Sequence, residues 1–227
     1  MQQQIEAVII WLRKIYGDKP AVIAVSGGVD SAVALTLLTR ALGTKKVTPL
    51  LLPYRDQDMA DATLIVEWNK LEKTVRVDIG KPVDAVVAEL SVEEGVRKGN
   101  IMARVRMIVT FDWAKKLGAL VCGTENKSEH ELGYYTRFGD AASDAEPIAH
   151  WYKTEVWEVA RELGLPKIFY TKKPSAGLWE GQTDEKEMGF SYSEADLVLQ
   201  GKVEGVKPEI AEKVRAMVAR NKFKSEV

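Results

Sequence analysis

The sequence predicts an α/β fold with a doubly wound, mainly parallel sheet and helices on both faces. Short apolar runs rich in β-branched residues alternate along the chain with segments of helical periodicity, and Gly or Pro separates them. Such alternation gives right-handed βαβ units. Polar clusters follow three of the expected strands, at the sheet edge where ligands bind in such folds. The length of 227 residues suits one domain with a sizeable core, and we expect a single domain over residues 1–227.

Each expected element rests on its own local pattern of apolar residues, with Pro near helix starts and Gly near helix ends. The segment 171–196 lacks clean periodicity and carries Pro, Gly and Ser, so we interpret it as a long loop and a candidate lid. The expected elements, in chain order, are a helix over 2–16, a strand over 21–25, a helix from Ala32 up to Gly43, strands over 47–52 and 75–79, helices over 82–90 and 98–117, a strand over 119–122, a helix over 156–163 and a last helix from Pro208.

The composition excludes several classes of protein. The net charge is −1, with 32 basic and 33 acidic residues, so bulk charge gives no support to a nucleic-acid partner. The one cysteine, Cys122, excludes an intramolecular disulfide and any multi-cysteine metal site. Neither a signal peptide nor a run of about 18 apolar residues is present. We therefore expect a cytoplasmic protein without a membrane segment.

The most informative motif is Ser-Gly-Gly-Val-Asp-Ser at 26–31, between an expected strand and an expected helix. Two glycines let the backbone approach a ligand closely, and the N–H groups at the helix start attract an anion. Asp30 among phosphates requires a cation, which predicts Mg²⁺. The alternative is an ordinary glycine-rich turn with an Asp/Ser helix cap. The motif resembles the PP-loop of ATP pyrophosphatases, which split ATP into AMP and pyrophosphate.

A second polar cluster, Gly-Thr-Glu-Asn-Lys-Ser-Glu at 123–129, follows the strand that ends at Cys122. It is also compatible with a plain capped helix start bearing exposed charges. Its position predicts that Thr124 and Glu129 face the same crevice as Asp30. Two carboxylates from different strand ends around one pyrophosphate are a usual way to hold Mg²⁺. We therefore expect Glu129 to be the second metal ligand.

The cluster continues into Gly-Tyr-Tyr-Thr-Arg-Phe-Gly-Asp (133–140), Trp-Tyr-Lys-Thr (151–154) and Lys-Pro-Ser-Ala-Gly-Leu-Trp-Glu-Gly-Gln-Thr-Asp-Glu (173–185). Together these strings resemble the ammonia-dependent branch of the NAD⁺ synthetases, over nearly the whole chain. The resemblance implies that ATP adenylates the nicotinate carboxylate of deamido-NAD⁺ with release of pyrophosphate. Ammonia then displaces AMP and NAD⁺ is formed.

The resemblance also implies roles for individual residues. Asp30 and Glu129 are expected to bind Mg²⁺, and Asp140 to accept a proton from ammonium. Arg104, Arg137, Asp144 and Lys224 correspond to positions that bind deamido-NAD⁺. Lys153 is expected to stabilise negative charge on the phosphates. The expected ATP contacts are Ala24, Val25, Ser26, Gly27, Gly28, Val29, Asp30, Ser31, Thr124, Lys153 and Ser175.

Each of these roles has a structural alternative. Lys153 would ordinarily be a solvated lysine at a helix start, and Arg104 an arginine whose stem covers apolar surface. Asp140 and Asp144 are also typical turn residues. A general base is nevertheless needed, because ammonium has no lone pair.

The chain departs from the family pattern at three places. The family usually has lysine at Arg137 and glycines at Ala141 and Ala142. A His-Lys pair near the C-terminus is replaced here by Phe223 and Lys224, which weakens the substrate contact expected of Lys224.

Two rival functions remain open from the sequence. One is another AMP-forming PP-loop enzyme, such as a tRNA-thiolating or GMP-forming relative, and the other is a non-catalytic ATP sensor. The single cysteine and balanced charge argue against the first, while two crevice carboxylates and Lys153 argue against the second. A glutaminase domain needs a nucleophile of its own, so we expect free ammonia or a partner protein to supply nitrogen. The resemblance also implies a homodimer.

Overall fold

The computed structural model describes residues 1–172, 174 and 183–226. The strands in this part of the chain are β1 (Ala21–Ala24), β2 (Val47–Leu51), β3 (Val75–Arg76) and β4 (Leu120–Cys122). The helices are α1 (Gln2–Tyr16), α2 (Val29–Leu42), α3 (Ala60–Trp68), α4 (Gly80–Glu89), α5 (Gly95–Leu117), α6 (Lys127–Leu132), α7 (Lys153–Glu162), α8 (Ile168–Thr171), α9 (Asp184–Met188), α10 (Tyr192–Leu199) and α11 (Pro208–Asn221), followed by a 3₁₀ turn at Lys222–Lys224. Among the described helices, none is both long and apolar enough to span a lipid bilayer.

All described strands pair in parallel, in the order β3-β2-β1-β4. Ala21 and Ile23 of the central β1 join a core with helices α1, α2 and α7. Val22, between them, points to the opposite face and joins a core with α4 and α5. Because successive side chains of a strand face opposite ways, the sheet is covered by helices on both sides. The predicted doubly wound parallel fold is confirmed.

A third apolar cluster contains no strand residue among those that the structure describes and is built mainly from α6, α10 and α11. Leu132 of α6, Ala195 of α10 and Val214 of α11 are fully buried in it. This cluster fixes α10 and α11 next to α6, and therefore next to the polar segment that follows β4.

Two predicted boundaries differ from the structure. The strand expected over 75–79 ends at Arg76, because the carboxylate of Asp78 accepts hydrogen bonds from the backbone N–H of Arg55 and of Gly80. The long loop expected over 171–196 is wrong in its second half, where α9 and the start of α10 lie. Side-chain caps at Thr183 and Ser191 start these two helices. Lys173 and the residues 175–182 lie outside the described residues, and so does the core of the expected lid.

Candidate active site

The turn between β1 and α2 has the geometry of an anion site. Gly28, the N-cap of α2, is extended and supplies no side-chain acceptor. The first N–H groups of the helix are therefore available to donate to a ligand. Ser26 Oγ accepts from Gly28 N at 3.2 Å, and Ser31 Oγ donates to Gly28 O at 3.0 Å. These two bonds hold the turn in one shape.

Gly27 allows this turn to pack against the segment that follows β2. Its φ is +86°, in the left-handed region. A Cβ at this position would lie 2.8 Å from Ala62 N and 2.9 Å from Asp61 Cβ. The corners after β1 and β2 therefore meet, as expected for the carboxyl ends of neighbouring parallel strands.

The third corner, after β4, is organised by Asn126 and Glu129. Asn126 caps α6 by accepting from Glu129 N at 3.0 Å, and Glu129 accepts in return from Asn126 N at 3.4 Å. The Nδ2 of Asn126 also donates to Asp30 Oδ1 at 2.9 Å. Asn126 thus ties the β4 corner to the β1 corner. Sequence reasoning gave no role of its own to this residue and considered only a capped helix start for the segment 123–129.

Asp30 and Glu129 converge on one ammonium group. Lys153 Nζ lies 2.5 Å from Asp30 Oδ2 and 3.2 Å from Glu129 Oε1. The lysine side chain is 2 % exposed, against 16 % for Asp30 and 18 % for Glu129. The structural alternative of a solvated surface lysine is therefore excluded, because the start of α7 buries Lys153 between two carboxylates.

Asp30, Glu129 and Lys153 are called the trio below, and their electrostatics favour a bound cation. Burial alone would lower the pKa of Lys153, but Asp30 and Glu129 together outweigh it and raise that pKa above its ordinary value. Burial raises the pKa of Glu129, and Asp30 adds to this while Lys153 opposes it. With both carboxylates ionised, two negative charges face one positive charge. A divalent cation that uses two carboxylates and phosphate oxygens fits this donor set, although no cluster of three or more His, Cys, Asp or Glu side chains with metal-binding geometry forms among the described residues.

Asp196 of α10 fixes the helices that carry Glu129 and Lys153. Its carboxylate accepts from Ser128 Oγ, and from Thr154 N and Oγ1 at 2.9 and 2.7 Å. Ser128 Oγ accepts in turn from Lys153 N at 2.8 Å. Asp196 is buried, at 1 % exposure, so this network lies beneath the site.

A cavity of about 670 Å³ has Thr136, Asp140 and Lys224 in its lining, whereas Asp30, Glu129 and Lys153 do not line it. Asp140 accepts from Thr136 N at 2.8 Å, and burial raises its pKa. Lys224 donates to the backbone carbonyls of Gly133 and Tyr135 at 2.6 and 2.7 Å. The volume is in the range of small-molecule sites.

The structure places the other predicted residues around the same edge. Arg104 is exposed and donates to the carbonyl of Arg137 at 3.2 Å. Asp144 Oδ2 accepts from Val121 N at 2.7 Å, so one oxygen of this carboxylate completes the free edge of β4. Thr124 follows β4 directly, and Ser175 lies outside the described residues.

Two further polar groups near the site were missed by sequence reasoning. Arg106 of α5 donates to Leu52 O at 3.0 Å and to Gln57 Oε1 at 2.9 Å, and so fixes the segment after β2. Glu146 accepts from Glu125 N and Ser143 Oγ at 3.0 and 2.7 Å. It occupies the space over Gly123, where a Cβ would lie 1.8 Å from its Oε1. No periodic pattern marks either position, because Leu52, Gln57 and Glu125, which these side chains hold, are 21 or more residues away in sequence.

Comparison with known proteins decides the family. The family model described as NAD synthase matches residues 3–227. The chain belongs to the NAD synthase family. It is 48 % identical, over 86 % of its length and 76 % of the relative's, to the NH3-dependent NAD⁺ synthetase of Pyrococcus horikoshii.

Solved structures agree with this assignment. The NMN synthetase of Francisella tularensis superimposes with a TM-score of 0.91 at 34 % identity, covering 100 % of this chain and 96 % of that one. The NH3-dependent NAD synthetase of Campylobacter jejuni, in complex with nitrate, gives 0.85 at 28 % identity, with the same coverage of 100 % and 96 %. The chain is accordingly an AMP-forming carbon–nitrogen ligase of NAD biosynthesis that uses ATP as co-substrate.

Proposed function

We propose that this NAD synthase amidates deamido-NAD⁺ with ammonia at the crevice where Asp30, Glu129 and Lys153 meet. The observation that carries this proposal is the contact of one buried ammonium with carboxylates from two different strand ends. The ion pairs of the trio would form equally well without an anion-binding turn beside them, so they do not explain why that turn is there. With a triphosphate on the N–H groups of that turn, all three side chains lie next to phosphate charge.

Mg²⁺ is part of the proposal, and Asp30 and Glu129 are the residues that would hold it. When bound, it would neutralise the phosphate oxygens that gain charge as pyrophosphate leaves. The donor set supports this assignment, since two carboxylates from different strand ends can hold Mg²⁺ together with phosphate oxygens.

Lys153 and the turn over 24–31 are proposed to stabilise the adenylation step. Attack of the nicotinate carboxylate on the α-phosphorus increases negative charge on the phosphate oxygens, and donors fixed in advance stabilise that charge. Lys153 is suited to this because burial, which lowers its pKa, is outweighed by the charges of Asp30 and Glu129, which keep it protonated. Thr124 and Ser175 are proposed as further ATP contacts.

Deamido-NAD⁺ is proposed to occupy the cavity lined by Asp140 and Lys224, with its other contacts at Arg104, Arg137 and Asp144. Asp140 would take the proton from ammonium as ammonia attacks the adenylated carboxylate. The raised pKa of Asp140 supports this role, because a base works best when its pKa approaches the working pH. Lys224, held by two carbonyls, is placed to approach an anionic group of the substrate.

We also propose that residues 1–227 form one domain, that the protein is a homodimer, and that it works in the cytoplasm. The family model spans 3–227, which supports the first point. Exposed apolar side chains on α4 and α5, including Val86 at 38 % and Ile108 at 60 %, support the second. The rival tRNA-thiolation chemistry is disfavoured because Cys122 is buried and burial raises the pKa of its thiol.

A second substrate is favoured by one specific observation, the likeness to an NMN synthetase. The corresponding acid is nicotinate mononucleotide, which presents the same carboxylate without the AMP half. The test is an assay with ATP, Mg²⁺, ammonium and either acid, with AMP and the amide product quantified by chromatography. A higher kcat/KM for deamido-NAD⁺ supports the proposal. Preference for the mononucleotide makes the chain an NMN-forming ligase, and no AMP with either acid makes it a nucleotide sensor.

A further inference from the structure

Tyr192 lies directly beneath the trio and is not accounted for by packing alone. It is the first residue of α10 and is fully buried. Its hydroxyl lies 3.5 Å from Glu129 Oε1 and 3.3 Å from Asp184 Oδ2. A phenylalanine would fill the same space, so the hydroxyl itself needs an explanation. A buried hydroxyl is costly unless it is hydrogen-bonded.

The hydroxyl carries one proton and faces two carboxylates. Sharing that proton accounts for both distances exceeding the usual value of about 2.7 Å for such bonds. Burial raises the pKa of Tyr192, and the charges of Glu129 and Asp184 raise it further, so the phenol stays protonated and remains a donor. Glu129 Oε1 therefore has two donors, the Tyr192 hydroxyl and Lys153 Nζ.

The ring of Tyr192 also faces the ammonium of Lys153, with Nζ 4.9 Å from the ring centroid. A cation over an aromatic face is attracted to it. Phenylalanine would keep this contact. Tyr192→Phe therefore removes the hydroxyl and keeps the ring, so the effects of the two groups can be measured separately.

The position of Tyr192 is fixed independently of the site. Ser191 and Glu194 form a capping box that starts α10. Asp196, four residues after Tyr192 and on the same helix face, holds Ser128 and Thr154, the neighbours of Glu129 and Lys153. A rigid helix thus presents the hydroxyl to Glu129.

We propose that Tyr192 is a positioning residue of the ligase, and that its hydroxyl orients the Glu129 carboxylate for the ATP-bound state. This rests on the proposed function of Glu129 at the triphosphate. Glu129 Oε2 is held by the N–H of Asn126. With Oε1 held by Tyr192, the carboxylate is restrained at both oxygens even when Lys153 turns to phosphate.

The first experiment compares Tyr192→Phe with wild type. Tyr170→Phe on α8 is the matched control, because that half-buried ring packs against Arg161, 5.1 Å from its guanidinium carbon and away from the trio. Tyr192→Phe should lower kcat for NAD⁺ formation about tenfold, with a thermal midpoint as close to wild type as that of the control. Equal kcat values for Tyr192→Phe and Tyr170→Phe would overturn the proposal.

The second experiment asks whether Tyr192 acts through Glu129 and needs no turnover. ATP affinity, with MgCl2 present, is measured by calorimetry for wild type, Tyr192→Phe, Glu129→Gln and the double variant. We expect Tyr192→Phe to weaken ATP binding about fivefold in the wild-type background and not at all in the Glu129→Gln background. If the loss of ATP affinity in the double variant equals the product of the losses in the two single variants, the proposal is overturned. If wild type forms no NAD⁺, the proposed function fails while this cycle still decides the role of Tyr192.

Discussion

Asn126 Nδ2 donates a hydrogen bond of 2.9 Å to Asp30 Oδ1, across the crevice between α6 and α2. The same side chain caps α6 through its Oδ1. One fully buried amide therefore fixes both the helix that carries Glu129 and the carboxylate opposite it. Loss of the cap and loss of the bridge are separable, because serine replaces the first function and not the second.

Asn126→Ala is expected to lower the free energy of unfolding by about 1–2 kcal/mol, as for other lost caps, and to weaken ATP binding. Asn126→Ser should recover most of the stability without recovering ATP affinity. Urea unfolding and ATP calorimetry on both variants measure the two effects. Full recovery of ATP affinity in the serine variant would show that the bridge to Asp30 has no part in binding.

Gly27→Ala should destabilise the protein more than Gly28→Ala, although the two glycines are adjacent. Gly27 has a φ of +86°, and a Cβ there would lie 2.8 Å from Ala62 N. Gly28 is extended, and the nearest atom to its Cβ would be Ser26 Oγ at 3.4 Å. We expect a loss of about 2 kcal/mol or more at Gly27 and about 0.5 kcal/mol at Gly28, from backbone strain and crowding. Urea unfolding of both variants checks this, and equal losses would contradict it.

The corner residues of the sheet were predictable from sequence because strand, turn and helix follow one another locally there. The convergence of Asp30 and Glu129 followed from strand ends alone. The burial of Lys153 and the roles of Asn126 and Tyr192 did not, since they depend on how α6, α7 and α10 pack together. α9 and α10 are too short for a periodic signal, and this is why the segment around Tyr192 was interpreted as loop.

Stability should fall as the pH rises from about 5 to 8. Burial raises the pKa of Glu146 from 4.5 to about 7, and burial followed by the charge of Glu146 raises that of Glu125 from 4.5 to about 8. Each carboxyl group binds its proton more tightly in the folded protein than in the unfolded chain. Its contribution to the free energy of unfolding is therefore complete below pH 4.5 and is lost as the pH rises through the pKa of the folded state. The slope is at most about 1.4 kcal/mol per pH unit for each group.

Glu146→Gln tests this pH dependence because it removes one titrating group, while its one oxygen can accept from Glu125 N and its amide N–H can donate to Ser143 Oγ. Urea unfolding at several pH values should give a flatter profile for this variant than for wild type. A wild-type stability that rises with pH over this range, or an unchanged slope in the variant, would contradict the assignment.

The proposed homodimer is tested by introducing a glutamate into one exposed apolar helix face at a time. Ile108 on α5 is 60 % exposed, and Ile10 on α1, in the helix layer on the other side of the sheet, is 62 % exposed. If α4 and α5 form the subunit contact, Ile108→Glu should shift the mass from light scattering toward the monomer while Ile10→Glu leaves it unchanged. A dimer that survives Ile108→Glu places the contact elsewhere.

Lys153→Met should destabilise the metal-free protein strongly and make its stability depend on Mg²⁺. Without the ammonium, Asp30 and Glu129 are left as partly buried carboxylates with no cation, and breaking such a pair typically costs about 3–5 kcal/mol. A divalent cation that binds only the folded protein restores stability by mass action. The thermal midpoint of Lys153→Met should therefore rise on addition of MgCl2, and by more than that of wild type, with NaCl of equal ionic strength as control. Equal responses to the two salts would mean that these carboxylates do not hold a divalent ion without ATP, and Lys153 would then be their sole counter-ion in the absence of nucleotide.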